Sequence, residues 1–229
     1  MPENYKTIYK GEKAEIIEKK SRFIAAADTV ESEEEALEFI EKVRKINRNA
    51  SHNCFAYTVG THHEIVRSSD DGEPQGTAGH PILDVILGED LCNTAVVVTR
   101  YFGGTLLGTG GLVRAYSTAA RQAVEASVII EKKLGTLLNL STDYSMIGKI
   151  QYLLASRNIP VMESSYTDQV SLTVLTHVSD LPTLKSELTE ITGGTVRLQE
   201  QKNLYFAVLK EGEISTFPAP DNPHQEYQP

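Results

Sequence analysis

Residues 95–124 read AVVVTRYFGGTLLGTGGLVRAYSTAARQAV and contain a sharp change of pattern. The β-branched run at 95–99 predicts a buried strand. A glycine-rich segment follows it. Apolar residues then recur at helical spacing at Leu112, Tyr116, Ala119, Ala120, Ala123 and Val124. The stretch therefore predicts a strand that runs through a glycine loop into a helix.

Strands and helices are also predicted upstream of this stretch. Short extended pieces at 7–9 and 15–17 precede a buried strand at 22–27. Ser32 and Glu35 have the spacing of a capping box, which predicts an amphipathic helix over about 32–47. The predicted apolar face of that helix comprises Ala36, Leu37, Ile40, Val43 and Ile46.

A predicted hairpin and a second helix complete the N-terminal part. Strands at 54–59 and 64–67 meet at a turn, and a turn-rich loop at 68–76 follows. Thr77 is the candidate N-cap of the next helix. Its apolar face comprises Ile82, Leu83, Val85 and Ile86. These elements predict an α/β domain over residues 1–130.

The second half of the chain has a different plan. Strands are predicted at 128–139, 159–166, 170–177 and 195–209, and helices at 144–157 and 181–191. Ser141 or Asp143 is the candidate cap of the first of these helices. The order βαββαβ is that of a ferredoxin-like domain, predicted over 135–210. The acidic, proline-rich segment 211–229 predicts an irregular or mobile tail. The fold class is therefore α+β with two domains.

The composition describes an ordinary soluble globule. The chain has 229 residues, of which 40% are hydrophobic and 23% are charged. The longest apolar run, 204–209, is far shorter than the roughly 20 residues that cross a membrane. The N-terminus has no apolar signal segment, so we expect a cytoplasmic protein with no membrane partner. Cys54 and Cys92 are the only cysteines and are expected to remain thiols.

The charge distribution limits the binding of nucleic acid. The net charge of −9 argues against a protein that coats nucleic acid by bulk electrostatics. Any site for RNA or another anion must therefore be local.

The segment around His52 and the acidic turn contains candidate catalytic groups. His52 and Cys54 share a strand face, so Cys54 is either a nucleophile or a buried structural thiol. Asp70, Asp71 and Glu73 could ligate a divalent cation, or could form a turn that pairs with arginines. No histidine stands in a zinc-binding pattern. The sequence predicts no metal, no cofactor and no assigned catalytic residue.

The glycine loop favours an anion site. It lacks the Lys-Ser/Thr of a phosphate-binding P-loop, and the dinucleotide-binding fingerprint also fails. Glycines that open a helix leave backbone N–H groups free at its positive end, and Arg114 adds a charge in the first turn. Arg121 lies on the same face, and Arg100 ends the preceding strand beside Tyr101. Either a bound anion or the acidic turn supplies the negative charge that balances the arginines and the positive end of the helix.

The candidate binding surface combines these motifs. It comprises His52, Asp70, Asp71, Glu73, Arg100, Tyr101, Gly103, Gly104, Gly108, Gly110, Gly111, Arg114 and Arg121.

Three ordered motifs resemble the YigZ/IMPACT family. They are ASHNC at 50–54, SDDGEPQGTAG at 69–79 and VTRYFGGTLLGTGGLVR at 98–114, within a similarity that covers about 20–127. The segment 135–210 resembles the C-terminal domain of bacterial members, which is itself similar to a ferredoxin-like domain of elongation factor G. The resemblance implies an N-terminal fold like that of the second domain of ribosomal protein S-five. It implies no agreed catalytic activity.

Two functions follow as hypotheses. The resemblance implies a link to translational control, so the first is a non-enzymatic regulatory protein that contacts RNA or a ribosome-associated factor. The second is a metal-assisted hydrolase of a small phosphorylated or charged substrate, built on the acidic turn, His52 and the helix start. The sequence indicates no particular oligomeric state.

Overall fold

The chain divides into two compact units at the junction of Glu131 and Lys132. The computed structural model describes residues 2–219. Within that range, no helix combines the length and the apolar character needed to span a membrane. The architecture confirms the predicted α+β fold class.

The first unit is an antiparallel sheet with helices on both faces. The elements are β1 (Asn4–Lys10), β2 (Lys13–Glu18), β3 (Ser21–Thr29), α1 (Glu33–Ile46), β4 (His52–Val59), β5 (Ile65–Ser69), α2 (Gly79–Gly88), β6 (Thr94–Tyr101) and α3 (Thr109–Ala126). The strands of the sheet lie in the order β2-β3-β6-β4-β5.

Alternating side chains of the central strands divide the core into two layers. On β6, Val96 and Val98 pack with residues of α2 and α3, whereas Ala95 and Val97 pack with residues of α1. Every residue predicted for the apolar face of α3 is buried. The sheet is therefore covered on both faces, which explains why the run at 95–98 is continuously apolar.

The predicted apolar face of α1 is partly wrong. Ser32 caps the helix as expected, because its Oγ accepts the Glu35 N–H at 3.1 Å. Ala36, Ile40 and Val43 are buried, but Leu37 is 50% exposed and Ile46 is 63% exposed. The buried stripe is narrow because α1 packs on the sheet with one side only, and Leu37 lies about 100° from Ala36 around the helix axis.

The second unit has the ferredoxin-like strand order β10-β7-β9-β8, antiparallel throughout. Its helices contribute Ile150, Leu154, Leu184 and Leu188 to a core that also contains Leu138, Leu140, Val170 and Leu172. The elements are β7 (Val128–Thr142), α4 (Ile147–Ser156), β8 (Val161–Tyr166), β9 (Val170–His177), α5 (Leu181–Ile191), β10 (Arg197–Val208) and β11 (Ile214–Pro218). β7 begins in the first unit and continues into the second.

Two expectations for this unit are wrong. Neither Ser141 nor Asp143 caps α4, whose N-cap is Met146 and has no side-chain hydrogen bond. The segment from 211 is not irregular throughout, because β11 pairs with β10 from Val208↔Ile214 to Leu204↔Pro218. Backbone pairing along this edge outweighs the effect of Pro218, which stands at the strand end where its missing N–H is tolerated. The rest of the predicted tail, 220–229, lies outside the described residues.

Candidate functional site

Asp70 holds the start of α2 from the preceding loop. Its Oδ1 accepts the N–H groups of Ala78 at 2.9 Å and Gly79 at 2.8 Å, and its Oδ2 accepts that of Gly76 at 2.8 Å. Burial alone would raise the pKa of Asp70, but these backbone donors outweigh it and lower the pKa below its ordinary value. The prediction that Thr77 caps α2 is wrong, since the Thr77 hydroxyl donates to the Pro74 carbonyl at 2.6 Å and the N-cap is Ala78.

Asp71 ties the acidic turn to β4 and α1. Its Oδ2 accepts the Asn53 N–H at 2.6 Å, and its Oδ1 accepts from Arg44 Nη2 at 3.2 Å. The predicted pairing of the turn with an arginine therefore exists for Asp71, with an arginine that the sequence analysis did not select.

Glu73 and Arg100 form a buried ion pair. The Glu73 Oε1 accepts from Arg100 Nη1 at 2.6 Å and from the Tyr116 hydroxyl at 2.7 Å. The two charged side chains are only 4% and 5% exposed. Arg100 Nη2 also donates to Ser21 Oγ at 3.3 Å, but its Nε has no partner among the described residues. Glu73 thus neutralises Arg100 inside the domain, as the internal alternative requires.

His52 lies beside this pair because β4 and β6 are neighbouring strands in which His52 and Arg100 are register partners. Its Nδ1 donates to the Asp71 carbonyl at 2.8 Å. Its Nε2 lies 3.9 Å from Glu73 Oε1. His52, Glu73 and Arg100 line one pocket, and the described lining contains neither Asp70 nor Asp71.

The glycine loop is held against the start of β3. A Cβ on Gly103 would lie 2.0 Å from the Lys20 carbonyl, so only glycine fits. The Gly103 N–H donates to Ser21 Oγ at 3.2 Å. Gly104 and Gly108 have φ values of 80° and 75°, in the left-handed region. The first N–H groups of a helix have no intrahelical acceptor, and Gly108, the N-cap of α3, has no side chain that could cap them.

The remaining candidate residues lie on or near the surface. Tyr101 donates its hydroxyl to Asn47 Oδ1 at 3.0 Å. Gly110 and Gly111 occupy the first turn of α3. Arg114 and Arg121 are exposed, and neither makes a hydrogen bond or an ion pair with another residue in the range 2–219. The structure therefore separates a buried group around Arg100 from an exposed group around Arg114.

Known proteins match both units. The Impact N-terminal domain matches residues 19–124, and the Domain of unknown function DUF1949 matches 140–195. A relative from Bacillus subtilis (strain 168), "IMPACT family member YvyE", is 38% identical over 206 residues, which are 90% of this chain and 95% of that protein. The chain belongs to the IMPACT family.

Further comparisons agree with this assignment. The relative "IMPACT family member YigZ" of Escherichia coli (strain K12) is 35% identical over 182 residues, covering 79% of this chain and 89% of that protein. A solved structure described as the crystal structure of a hypothetical protein is 31% identical with a TM-score of 0.58. That match covers 88% of this chain and 99% of the other. All the candidate residues, from 52 to 121, fall within the segment matched by the Impact N-terminal domain.

Three residues that contact the candidate residues of this IMPACT family domain were missed by the sequence analysis. Tyr116 was identified only as a helix core residue, yet its hydroxyl bonds Glu73. Ser21 joins Arg100 to the glycine loop, and Arg44 pairs with Asp71. A buried tyrosine hydroxyl needs a partner, which was the available signal for Tyr116. The sequence around Ser21 and Arg44 contains no motif that would indicate their contacts with the candidate residues.

The structure also bears on metal binding in this family member. Among residues 2–219, no three His, Cys, Asp or Glu side chains are grouped so that they could hold a metal ion. The carboxylate oxygens of Asp70 are occupied by backbone N–H groups, and Asp71 bonds Asn53 and Arg44. These contacts favour the structural interpretation of the acidic turn.

We expect Cys54 to be unreactive in the folded protein. Burial raises the pKa of this thiol to about 12, and its Sγ donates to the Asp70 carbonyl at 3.0 Å. Since the thiolate is the reactive species, iodoacetamide at neutral pH should leave Cys54 unmodified in the native protein and alkylate it in urea. Peptide mass spectrometry measures both states. Rapid native alkylation of Cys54 would contradict the structural assignment and favour a nucleophile.

Proposed function

We propose that this protein is a cytoplasmic, non-enzymatic binding protein linked to translation, and that it contacts single-stranded RNA through the exposed face of α3. The proposal rests on Arg114 and Arg121. They stand seven residues apart, which places them about 20° from each other around the helix axis. The loop before α3 and the helix as far as Ala120 contain no Asp or Glu, so Arg114 has no acidic neighbour on its own helix, and Glu125, four residues after Arg121, is the one acidic residue of α3.

The surroundings of Arg114 support a phosphate contact. Arg114 and Lys19 line a surface depression of about 260 Å³, together with one carboxylate, Glu18. Two cations against one anion leave the depression positive. Arginine and lysine contacts of this kind supply most of the affinity of non-specific nucleic-acid binding.

An exposed aromatic ring supports a base contact. Phe102 is 47% exposed, and its ring lies 5.3 Å from the Arg100 guanidinium carbon. The cation beneath the ring holds it in place while the ring remains accessible. Stacking of a base on such a ring contributes about 1–3 kcal/mol and tolerates any sequence.

The hydrolase hypothesis has weaker support. Its acidic turn would have to release Asp70 from three backbone N–H groups before that carboxylate could ligate a cation. The binding hypothesis requires no such rearrangement, because Arg114 and Arg121 are already exposed.

The measurement that tests the RNA proposal is the salt dependence of binding to a fluorescent 12-nucleotide oligouridylate. We expect Arg114→Ala to weaken binding by about two- to fivefold, as for an exposed charge contact. We also expect the slope of log K against log salt to fall by about 0.7, since one phosphate contact is lost. The free energy of unfolding should stay within about 0.5 kcal/mol of the wild type, because Arg114 is exposed.

Lys42→Ala is the matched control for this variant. Lys42 lies on the exposed face of α1, and its removal changes the net charge by the same amount. Equal weakening by Lys42→Ala and Arg114→Ala would indicate only bulk electrostatics. An unchanged affinity and slope for Arg114→Ala would place the binding surface elsewhere. Sedimentation of wild type but not Arg114→Ala with ribosomes would extend the proposal to a ribosomal partner.

A further inference from the structure

A pocket of about 410 Å³ lies in the first unit, beside the start of α3. Its size falls within the range of roughly 300–1,000 Å³ that is usual for small-molecule sites. Phe102, Leu106, Leu107 and Leu112 form its apolar wall. This wall includes the two large exposed side chains of the glycine loop, since Phe102 is 47% and Leu106 is 83% exposed. A ligand with an apolar body would remove this surface from water.

The helix end that lines the pocket favours a negative group. Gly108 and Thr109 belong to the lining, and the first turn of α3 contains no acidic residue. A Cβ on Gly108 would meet no atom within 4 Å, so the approach to the helix end is open. Unpaired N–H groups and the helix dipole together make such an end an anion site.

A second and independent feature of the pocket is the unpaired nitrogen of Arg100. Arg100 lines the pocket and is 4% exposed, yet its Nε has no hydrogen-bond partner among residues 2–219. An unsatisfied buried donor destabilises a protein by about 1–3 kcal/mol. An acceptor atom that reached this nitrogen from the pocket would remove that penalty.

The other charges in the pocket leave room for one anion. Glu73 is already neutralised by Arg100 and bonded by Tyr116. His52 donates from Nδ1 to the Asp71 carbonyl, so the neutral ring presents Nε2 as an acceptor, which suits a hydroxyl or N–H group of a ligand rather than its anionic oxygens. The polar groups are few and converge from β4, β6 and α3, which is the arrangement of a small-molecule site.

We propose that this pocket binds a small organic anion. Its carboxylate or phosphate group lies at the N-terminus of α3, and its aliphatic or aromatic body lies against Phe102, Leu106 and Leu112. This site adjoins the surface proposed for RNA, because Phe102 belongs to both, whereas Arg114 is absent from the described pocket lining. The protein would thus carry a ligand site next to its RNA surface.

The experiment uses the ¹⁵N-labelled full chain and four probes. Phenyl phosphate and benzoate have both charge and body, benzyl alcohol lacks the charge, and inorganic phosphate lacks the body. We expect saturable shifts of the Thr109, Gly110 and Gly111 amide signals with phenyl phosphate or benzoate. The protein should bind phenyl phosphate or benzoate about tenfold more tightly than benzyl alcohol or inorganic phosphate, which is equivalent to about 1.4 kcal/mol.

A matched pair of variants at Thr109 tests the helix end. Thr109 is exposed, and Thr109→Glu places a fixed negative charge in the first turn, where it also suits the dipole. We expect Thr109→Glu to weaken probe binding by about tenfold. Thr109→Gln has the same size as the glutamate variant without its charge, so we expect it to bind the probes about tenfold more tightly than Thr109→Glu does. Arg114→Ala should keep probe binding even where it loses RNA.

Four results would overturn the proposal. They are the absence of saturable shifts with both organic anions, equal affinity for inorganic phosphate, unchanged binding by Thr109→Glu, and loss of probe binding in Arg114→Ala. If the oligouridylate shifts the pocket amides while neither organic anion does, the pocket is part of the RNA surface and the proposal is wrong.

Discussion

Replacement of Arg100 by methionine is expected to lower the free energy of unfolding of the full chain by about 3–5 kcal/mol. Stability is lost because the carboxylate partner of Arg100 remains buried after the replacement. Glu73 would stay buried without its cation, bonded only by Tyr116 and near His52. Burying an uncompensated carboxylate is among the most destabilising single changes in a protein. Urea unfolding at neutral pH measures the effect.

The double variant Arg100→Met/Glu73→Gln isolates the ion pair. Removal of both charges should be less destabilising than removal of Arg100 alone, with a coupling energy of about 1–3 kcal/mol. The control is Arg22→Met, because Arg22 and Glu15 form a pair of similar length, 2.7 Å against 2.6 Å, with side chains 51% and 41% exposed. That variant should lose no more than about 1 kcal/mol. Equal effects of Arg100→Met and Arg22→Met would mean that the buried pair does not stabilise the domain.

Asp70→Asn is expected to destabilise the full chain by about 2–4 kcal/mol. A carboxylate can accept all three N–H groups of Gly76, Ala78 and Gly79, whereas an amide has one oxygen. The amide NH₂ would face a backbone N–H and leave it unpaired. The charge at the N-terminus of α2 would also be lost. Thermal or urea unfolding at neutral pH measures the difference.

The pH dependence of this difference has a defined sign. The folded-state pKa of Asp70 is lowered, so the stability that its charge contributes is fully present above the unfolded-state pKa. It is lost as the pH falls through the lower folded-state value. The difference in the free energy of unfolding between wild type and Asp70→Asn should therefore become smaller below about pH 4.

Asp84→Asn is the control for Asp70→Asn. Asp84 lies exposed on α2 and makes no hydrogen bond or ion pair within the described part of the chain. Its replacement should change the free energy of unfolding by no more than about 0.5 kcal/mol at neutral pH. If the difference in the free energy of unfolding between wild type and Asp70→Asn increased in acid, that result would contradict the role of the Asp70 carboxylate at the start of α2.

The candidate site was predictable in part. The sequence predicted that the acidic turn could pair with arginines, but it did not indicate which arginine each carboxylate contacts. Glu73 and Arg100 lie 27 positions apart and meet within the folded domain. Arg114, which shares the same motif with Arg100, was grouped with it by sequence proximity. The fold buries Arg100 and exposes Arg114, because Arg100 lies near the end of the central strand β6, whereas Arg114 lies on the side of α3 that faces the solvent.

The sequence by itself determined the elements that follow from local periodicity. The bounds of β9 and α5, Val170–His177 and Leu181–Ile191, were predicted from alternation, helical spacing and terminal signals, which act between near neighbours. Only the tertiary structure decided that Asp70 rather than Thr77 caps α2, and that β11 extends a sheet. Both depend on how the chain folds back on itself in a loop: Asp70 bonds backbone N–H groups six to nine positions further on, and β11 returns onto β10 from Val208↔Ile214. These bonds exist only in the folded loop conformation, and neither helical spacing nor strand alternation encodes that conformation, so the residues concerned carry no periodic pattern that could reveal it.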